Sequence, residues 1–472
     1  MQADRGRELP YHTGMRILLV SPYELGRQPF SLAHPAALLR SRGHNVVLSD
    51  LTLGSLPWNR LSEFELIGVS LGMHTATRIA ANLLPQVRDR ARHARLVCYG
   101  LYGPPNAQAL KNAGVDVVLG PEFEGELLAL VAELTGTEEI SRRVQFVVPD
   151  RTGLPALSRY AHLMLPQGGR KTVGFVEASR GCKYLCRHCP IVPVYEGQFR
   201  AIPRETVIAD AAQQIALGAT HLSFGDPDFL NGPTHALRIL EAVHTQWPMV
   251  TFDATIKISH ILSHRALIPV LREYGCLFVT SAAESFDDAV LDRLDKGHAG
   301  EDIAQAVAIT RACDIALTPT FVPFTPWTSL EDYLELLARV HDLALINSVT
   351  PIQLAIRLLV PEGSYLLRLP GFRERLKPFA ADLLGYPWVH PDPRVDTLQA
   401  NAQRWIEKAE GEGLGRFETF VGLWDLAHGA LGRSAPTLDP GTAGPLSPHL
   451  SEPWYCCAEP TTAQLAASAA GG

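Results

Sequence analysis

The sequence predicts an α/β protein of two successive sheets: an N-terminal doubly wound parallel sheet, then a partial six-unit β/α barrel, a helical C-terminal segment and a disordered tail. Three observations lead there. Short apolar runs alternate with amphipathic helical stretches from Met15 to Leu134. The alternation lapses over residues 136–172, which carry several Pro and Gly, and resumes at Val173 for six further strand–helix repeats. Beyond Arg433 the chain turns to Pro, Gly, Ala, Ser and Thr, a composition that buries too little apolar surface to offset its ordering entropy.

MRILLVSPYE (15–24) reads as a buried strand running into a Pro-containing loop, HPAALLRSRG as a helix and NVVLSDL as the second strand. LIGVSLG, a helix from about Thr75 to Arg90, ARLVCYG, a helix from about Ala107 to Ala113, VDVVLG and the helix GELLALVAEL complete the series. Ligands of such a sheet bind beyond the carboxyl ends of its strands, where Ser21, Ser70 to Met73, Tyr99 to Gly103 and Gly120 to Glu124 fall. In the second series the strands are VGFVEAS, HLSFGD, VTFDATI, CLFVTSA, ALTPTFVP and PIQLAIRLL. Six units fall short of the eight of a closed barrel, so an open barrel is expected, with its site at the carboxyl-end face. The segments are therefore 1–14, a disordered N-terminus; 15–135, the doubly wound domain; 136–172, a linker; 173–365, the partial barrel; 366–433, helical, with TLQANAQRWIEKAE and FETFVGLWDLAHGAL; and 434–472, a flexible tail.

Composition narrows the function. Of the 472 residues 46% are hydrophobic and 19% charged, and no apolar run reaches the roughly 18 residues of a membrane span, so a soluble protein without a membrane partner is expected. Residues 1–14 lack the apolar core of a secretory signal. A net charge of −7 without a Lys/Arg cluster argues against nucleic acid as partner. Five of the eight cysteines sit in two tight groups, which points to metal or thiol chemistry in a reducing cytoplasm. Cys98, Cys276 and Cys313 stand alone in apolar surroundings and read as buried small hydrophobes.

Cys182, Cys186 and Cys189 stand at C-x3-C-x2-C spacing in GCKYLCRHCP, directly after a strand. One tight loop can present three thiolates to one face of a cuboidal iron–sulfur cluster and leave the fourth iron open for chemistry. A zinc site completed by His188 or a distant residue is the alternative.

The motif and the six-unit series that follows it resemble the radical S-adenosylmethionine superfamily. That resemblance implies a 4Fe-4S cluster held by Cys182, Cys186 and Cys189, with S-adenosylmethionine on the open iron, and an external electron donor such as flavodoxin or ferredoxin. One electron then breaks a carbon–sulfur bond of S-adenosylmethionine, in most members releasing a 5'-deoxyadenosyl radical, in an oxygen-sensitive site where the protein positions and shields the radical. Carried over residue by residue, His188 takes the place of an aromatic group near adenine, or is a surface histidine. Asp226 and Asp228, ending the second barrel strand, match groups that meet the methionine ammonium, or cap a loop. Ser281 to Ser285, with Glu284 and Ser285, match the stretch that contacts ribose and methionine. Lys257 and Arg357 lie near strand ends and meet the methionine carboxylate or an anionic substrate, or form structural salt bridges.

MRILLVSPYELGRQPFSLAHPAALLRSRGHNVVLSDL and VDVVLGPEFEGELLALVAEL resemble the cobalamin-binding domain that precedes many enzymes of this superfamily, over about Met15 to Leu134. The resemblance implies cobalamin as a cofactor and methyl transfer as the chemistry, or a degenerate domain that serves as a packing or substrate platform. No Asp-x-His-x-x-Gly follows the first strand, so no histidine ligand to cobalt is expected from that motif. Tyr99-Gly100-Leu101-Tyr102-Gly103 replaces the usual glycine pair, which puts tyrosines where the cofactor tail would pass.

Trp454-Tyr455-Cys456-Cys457-Ala458-Glu459-Pro460 is an aromatic island in a tail of small residues. Adjacent thiols form a strained, readily reduced disulfide or a soft chelate for a thiophilic ion. The ending resembles a radical S-adenosylmethionine subgroup named for its Cys-Cys-Ala-Glu-Pro tail, which implies that Cys456 and Cys457 act in catalysis, by analogy by delivering a metalloid to the barrel mouth. The whole is thus expected to alkylate or methylate a small substrate, with methyl or 3-amino-3-carboxypropyl as the transferred group. The alternative is a non-catalytic iron–sulfur redox or metalloid sensor.

Overall fold

A computed structural model describes residues 14–137 and 146–452. Five parallel strands open the chain: β1 (Arg16–Ser21), β2 (Asn45–Asp50), β3 (Leu66–Ser70), β4 (Arg95–Tyr99) and β5 (Val117–Leu119), in the order β2-β1-β3-β4-β5. Helices α1 (Phe30–Arg40), α2 (His74–Arg90), α3 (Ala107–Asn112) and α4 (Glu124–Thr135) cover its two faces. β1 and β3 are almost wholly buried, as central strands of a two-sided parallel sheet must be. Gly68 of β3 leaves room for two neighbours: a Cβ there would meet Leu19 Cδ2 at 2.9 Å and Tyr99 Cε1 at 3.2 Å. The Tyr99 ring therefore lies in the core, 4.4 Å from the Phe123 ring, and its hydroxyl donates to the Ser31 carbonyl at 2.9 Å. Tyr102 is buried beside His74, so both tyrosines are packed into the domain.

The second sheet has seven strands in the order β13-β12-β11-β10-β7-β6-β14. Its parallel part is β7 (Arg170–Val176), β10 (His221–Phe224), β11 (Thr251–Thr255), β12 (Cys276–Glu284) and β13 (Ala316–Phe321). β6 (His162–Met164) pairs antiparallel to β7, and β14 (His449–Leu450) to β6. Between them lie the small ribbon β8 (Ser179–Gly181) and β9 (Phe199–Ala201), the single turn α5 (Val192–Tyr195), and the crossover helices α6 (Arg204–Ala216), α7 (Pro233–Gln246), α8 (Ile258–Ser263), α9 (Ile268–Glu273), α10 (Asp288–Leu294), α11 (Gly300–Ala312) and α12 (Leu330–Asp342). Helices α13 (Pro393–Glu412) and α14 (Arg416–Ala430) pack on each other, and α14 packs on α12. Asp392 caps α13 ahead of Pro393, and Gly413 at φ 69° ends it.

Three details differ from the sequence reading. PIQLAIRLL forms a 3-10 turn over Pro351–Leu354 and a single bridge, Phe324 to Arg357, in place of a sixth strand. Pro351 supplies no amide to a ladder, and the chain beyond Arg357 is drawn off by Trp388, whose Nε1 donates to the Leu358 carbonyl. Within 136–172, Arg151 is clamped by the Asp210 carboxylate and the Phe175 carbonyl in a buried ion pair, so this connection is fastened to the barrel. Residues 434–452 lie along the barrel, with Ala443 in its core and β14 extending its sheet; small side chains let the backbone lie close. Cys98 and Cys276 are buried as read, and Cys313 packs on the barrel core.

Candidate active site

β7 carries the chain to the carboxyl-end face of the barrel, and β8 turns it into the cysteine loop. Gly181 makes that turn at φ 75°; a Cβ there would stand 2.3 Å from the Gln198 carbonyl oxygen. Asp226, at the end of β10, braces the approach: it accepts from the Ala178 amide at 3.0 Å and from the Ser179 hydroxyl. Burial pushes the Asp226 carboxyl up to about 7 although Ser179 opposes the rise. Arg180 pairs with Glu124 at the start of α4 and with Glu177, and so ties the loop to the N-terminal domain.

Burial is the larger cause of the raised Cys182 and Cys189 thiols, and the nearby Cys186 sulfur adds to both. Together they lift Cys182 and push Cys189 up to about 12. Such thiols become thiolates only when a cation takes the proton's place. Among the described residues no three His, Cys, Asp or Glu side chains converge on a single metal ion. Three soft donors on one loop fit a cuboidal iron–sulfur cluster, which spans more space than one ion.

A circuit of side chains closes around the loop. Lys257 Nζ donates to Cys186 Sγ at 3.4 Å and to the Lys296 carbonyl at 3.0 Å, and lies 3.5 Å from the centre of the Tyr184 ring. Lys296 Nζ meets Glu284 Oε1 at 3.2 Å, and Glu284 Oε1 meets His188 Nε2 at 3.0 Å, which returns to the loop. Burial would raise the Glu284 carboxyl, but the Lys296 ammonium and His188 hold it at about 2. Glu284 takes this position at φ 69°, where β12 slips register against β13. Asp228, fully buried, meets His260 Nδ1 at 2.7 Å, and His260 Nε2 shares a hydrogen bond with the Tyr184 hydroxyl. Ser285 accepts from the Asp287 amide, a turn contact.

The structure thus brings His188, Lys257 and Glu284 into direct contact with the loop or one another, and Asp228 one residue further out. Asp226 acts on the strand before the loop. Arg357 is engaged elsewhere: it pairs with Asp396 at 2.7 Å and its guanidinium lies 3.5 Å from the Trp388 ring centre. Cys456 and Cys457 lie outside the described residues. Sequence reasoning passed over Lys296, which sits in a connection twelve residues beyond Glu284 with no motif of its own, and Asn231, whose Oδ1 accepts from the Lys183 amide at 3.3 Å. Asn231 Nδ2, His188 Nδ1 and Ser281 Oγ are buried without a hydrogen-bond partner among the described residues. Orphaned donors and acceptors beside the cysteine loop fit a polar ligand that satisfies them.

The family model described as Radical SAM superfamily matches residues 176–345, from the end of β7 past α12. Over these residues the chain is thus similar to the Radical SAM superfamily, whose cofactors are a 4Fe-4S cluster and S-adenosylmethionine. No curated protein matches the chain in sequence. Among solved structures, the cobalamin-dependent S-adenosylmethionine radical enzyme OxsB, with aqua-cobalamin and S-adenosylmethionine bound, superposes with a TM-score of 0.65 at 15% identity, over 85% of this chain and 68% of that one. The radical S-adenosylmethionine methyltransferase TsrM from Kitasatospora setae gives a TM-score of 0.57 at 18% identity, over 70% of this chain and 71% of that one. At such identities the likeness is one of fold, and it includes the N-terminal sheet ahead of the barrel in OxsB. No helix among the described residues is long and apolar enough to cross a membrane.

Proposed function

We propose that this protein is a radical S-adenosylmethionine transferase that methylates or otherwise alkylates a small substrate, with Cys456 and Cys457 holding a thiophilic species such as a metalloid or taking part in turnover. The observation that carries the reading is the closed circuit Cys186–Lys257–Lys296–Glu284–His188 at the carboxyl-end face of a Radical SAM barrel.

Cys182, Cys186 and Cys189 would hold the cluster, and when bound it supplies a reducing electron and one open iron. The chain's own part is electrostatic and steric. Lys257 sets a positive charge against the Cys186 sulfur, which offsets negative charge gained on reduction. Glu284, kept ionised by Lys296 and His188, offers a fixed carboxylate to a cofactor ammonium, and Ser281 and Asn231 offer unpaired polar atoms to the rest of the ligand. Asp226 keeps the entering strand in place and Arg187 fastens the loop, its amide donating to the Leu294 carbonyl at 2.8 Å. An external donor such as flavodoxin or ferredoxin delivers the electron.

The carboxyl edge of the N-terminal sheet suits cobalamin, a methyl donor when bound. Ser21 Oγ is buried there without a partner among the described residues, Asp50 lies beside it, and Tyr99 is turned into the core and leaves the edge clear. Residues 22–29 contain no histidine, so cobalt receives no imidazole from that loop.

Anaerobic turnover with S-adenosylmethionine labelled separately in its methyl and aminocarboxypropyl groups tests the proposal. Label transferred to a small acceptor is expected, with visible absorption of a corrinoid in the purified protein if cobalamin is the methyl carrier. Replacing Cys456 and Cys457 by Ser is expected to abolish transfer while cofactor cleavage persists. Unchanged transfer refutes the thiol role, and cleavage with no label transferred to any acceptor refutes the transferase reading.

A further inference from the structure

Away from the cysteine loop, the concave side of the barrel holds buried polar side chains that the proposed chemistry leaves unused. Residues of a strand alternate between the two faces of its sheet. Leu222 and Phe224 of β10 and Phe252 and Ala254 of β11 belong to the core under the helices. His221, Ser223, Thr251, Asp253 and Thr255 therefore face the concave side. Strand pairing sets Phe175, Ser223, Asp253 and Phe278 in one row across β7, β10, β11 and β12. Thr255, Thr280 and Thr318 form the next row toward the carboxyl ends.

Asp253 is held from one side only. His221 Nε2 shares a hydrogen bond with its Oδ1 at 2.9 Å, and the Ser223 hydroxyl donates to the same oxygen. His221 is fixed in turn: its Nδ1 lies 2.8 Å from Thr251 Oγ1, which accepts from Lys171 Nζ at 3.0 Å. Asp253 Oδ2 has no hydrogen-bond partner among the described residues. Leu163, Val173 and Phe278 close the concave side below. Thr255, Thr318 and, just past the end of β7, Glu177 are only half-buried, so it is open above.

A carboxylate oxygen taken from bulk water without a partner is costly, and a charged N–H donor offsets that cost best. The cationic side chains nearby are engaged: Lys171 on Thr251, Lys257 on Cys186 and the Lys296 carbonyl, Arg180 on Glu177 and Glu124, and Arg27 over the Phe175 ring. Glu177 adds a second carboxyl to the open end.

We propose that Asp253 Oδ2 anchors the ammonium of a small primary amine, with the threonine row along its side, and that this amine is the acceptor of the transferred group. Asp253 and Lys257 are four residues apart on extended chain, about 13 Å, and Lys257 touches Cys186, so the free end of the amine points toward the cysteine loop. The role as acceptor rests on the transferase reading; binding does not, since it requires no turnover.

Calorimetry on the full chain with its cluster reconstituted and S-adenosylmethionine present tests the site, with n-butylammonium as probe and 1-butanol and butyrate as its neutral and anionic counterparts. The ammonium is expected to bind at least tenfold more tightly than either counterpart. Asp253→Asn is expected to abolish that preference with the near-ultraviolet circular dichroism retained. Thr255→Val, which leaves the carboxylate in place and serves if Asp253→Asn does not fold, is expected to weaken the ammonium at least threefold. No binding of the ammonium, equal affinity for the three probes, or wild-type preference in every folded variant overturns the proposal. Amine binding intact in a protein that transfers no label supports the site and counts against the transferase reading alone.

Discussion

Lys257 Nζ stands 3.4 Å from Cys186 Sγ and 3.0 Å from the carbonyl oxygen of Lys296. A buried ammonium is thereby pinned against one of the three candidate cluster ligands, and a cluster that gains an electron gains negative charge at that place. Lys257→Gln is expected to make the reconstituted cluster harder to reduce by on the order of 60 mV, equivalent to about 1.4 kcal/mol for one electron. A redox titration followed by electron paramagnetic resonance reads the shift. An unchanged potential would mean that Lys257 serves packing over Tyr184 alone.

Glu284 joins Lys296 to His188, and its loss would leave a buried ammonium without its carboxylate. Glu284→Gln is expected to cost about 3 kcal/mol in denaturant unfolding. The same substitution removes the ionised group offered to S-adenosylmethionine, so binding of the cofactor by the folded variant is expected to weaken at least tenfold, which calorimetry checks.

Two carboxyls predict opposite pH behaviour. Glu284 is held at about 2 in the fold against an ordinary 4.5, so its contribution is fully present above pH 4.5 and is lost as pH falls toward 2. Asp226 is raised to about 7 from 3.8, so it opposes folding increasingly as pH rises from 3.8 through 7. Asp226→Asn is expected to flatten the decline in stability between pH 4 and 7, measured by urea midpoints across that range. A variant with the wild-type profile would show that Asp226 ionises freely.

Arg151 and Asp210 are both almost fully buried and face each other across the junction of the connecting segment and α6. Arg151→Met leaves Asp210 buried and unpaired, and a loss of about 3–5 kcal/mol is expected in thermal or chemical unfolding. A change under 1 kcal/mol would contradict the clamp.

The two alternating series were legible because parallel strands buried on both faces are continuous apolar runs, and RILLVS and LIGVS announce themselves as such. The cysteine loop was legible because three thiols at short spacing have few other uses. Arg357 was legible only as a choice between an anion contact and a structural salt bridge; the fold shows the second, because Asp396, thirty-nine residues on, takes its charge. Lys296 was hidden because only the fold brings it to Glu284. The order of residues 434–452 escaped notice because small side chains can lie flat on an existing core, where backbone pairing such as β14 to β6 replaces apolar burial.

The central claim is that Cys182, Cys186 and Cys189 hold a cluster that cleaves S-adenosylmethionine. Mass spectrometry of anaerobic reactions containing reconstituted protein, reductant and S-adenosylmethionine tests it most directly. The account predicts 5'-deoxyadenosine or methylthioadenosine from the intact protein and neither from Cys182→Ala, Cys186→Ala or Cys189→Ala. Absence of both products from the intact protein with a fully formed cluster, or their undiminished formation by Cys186→Ala, would contradict it.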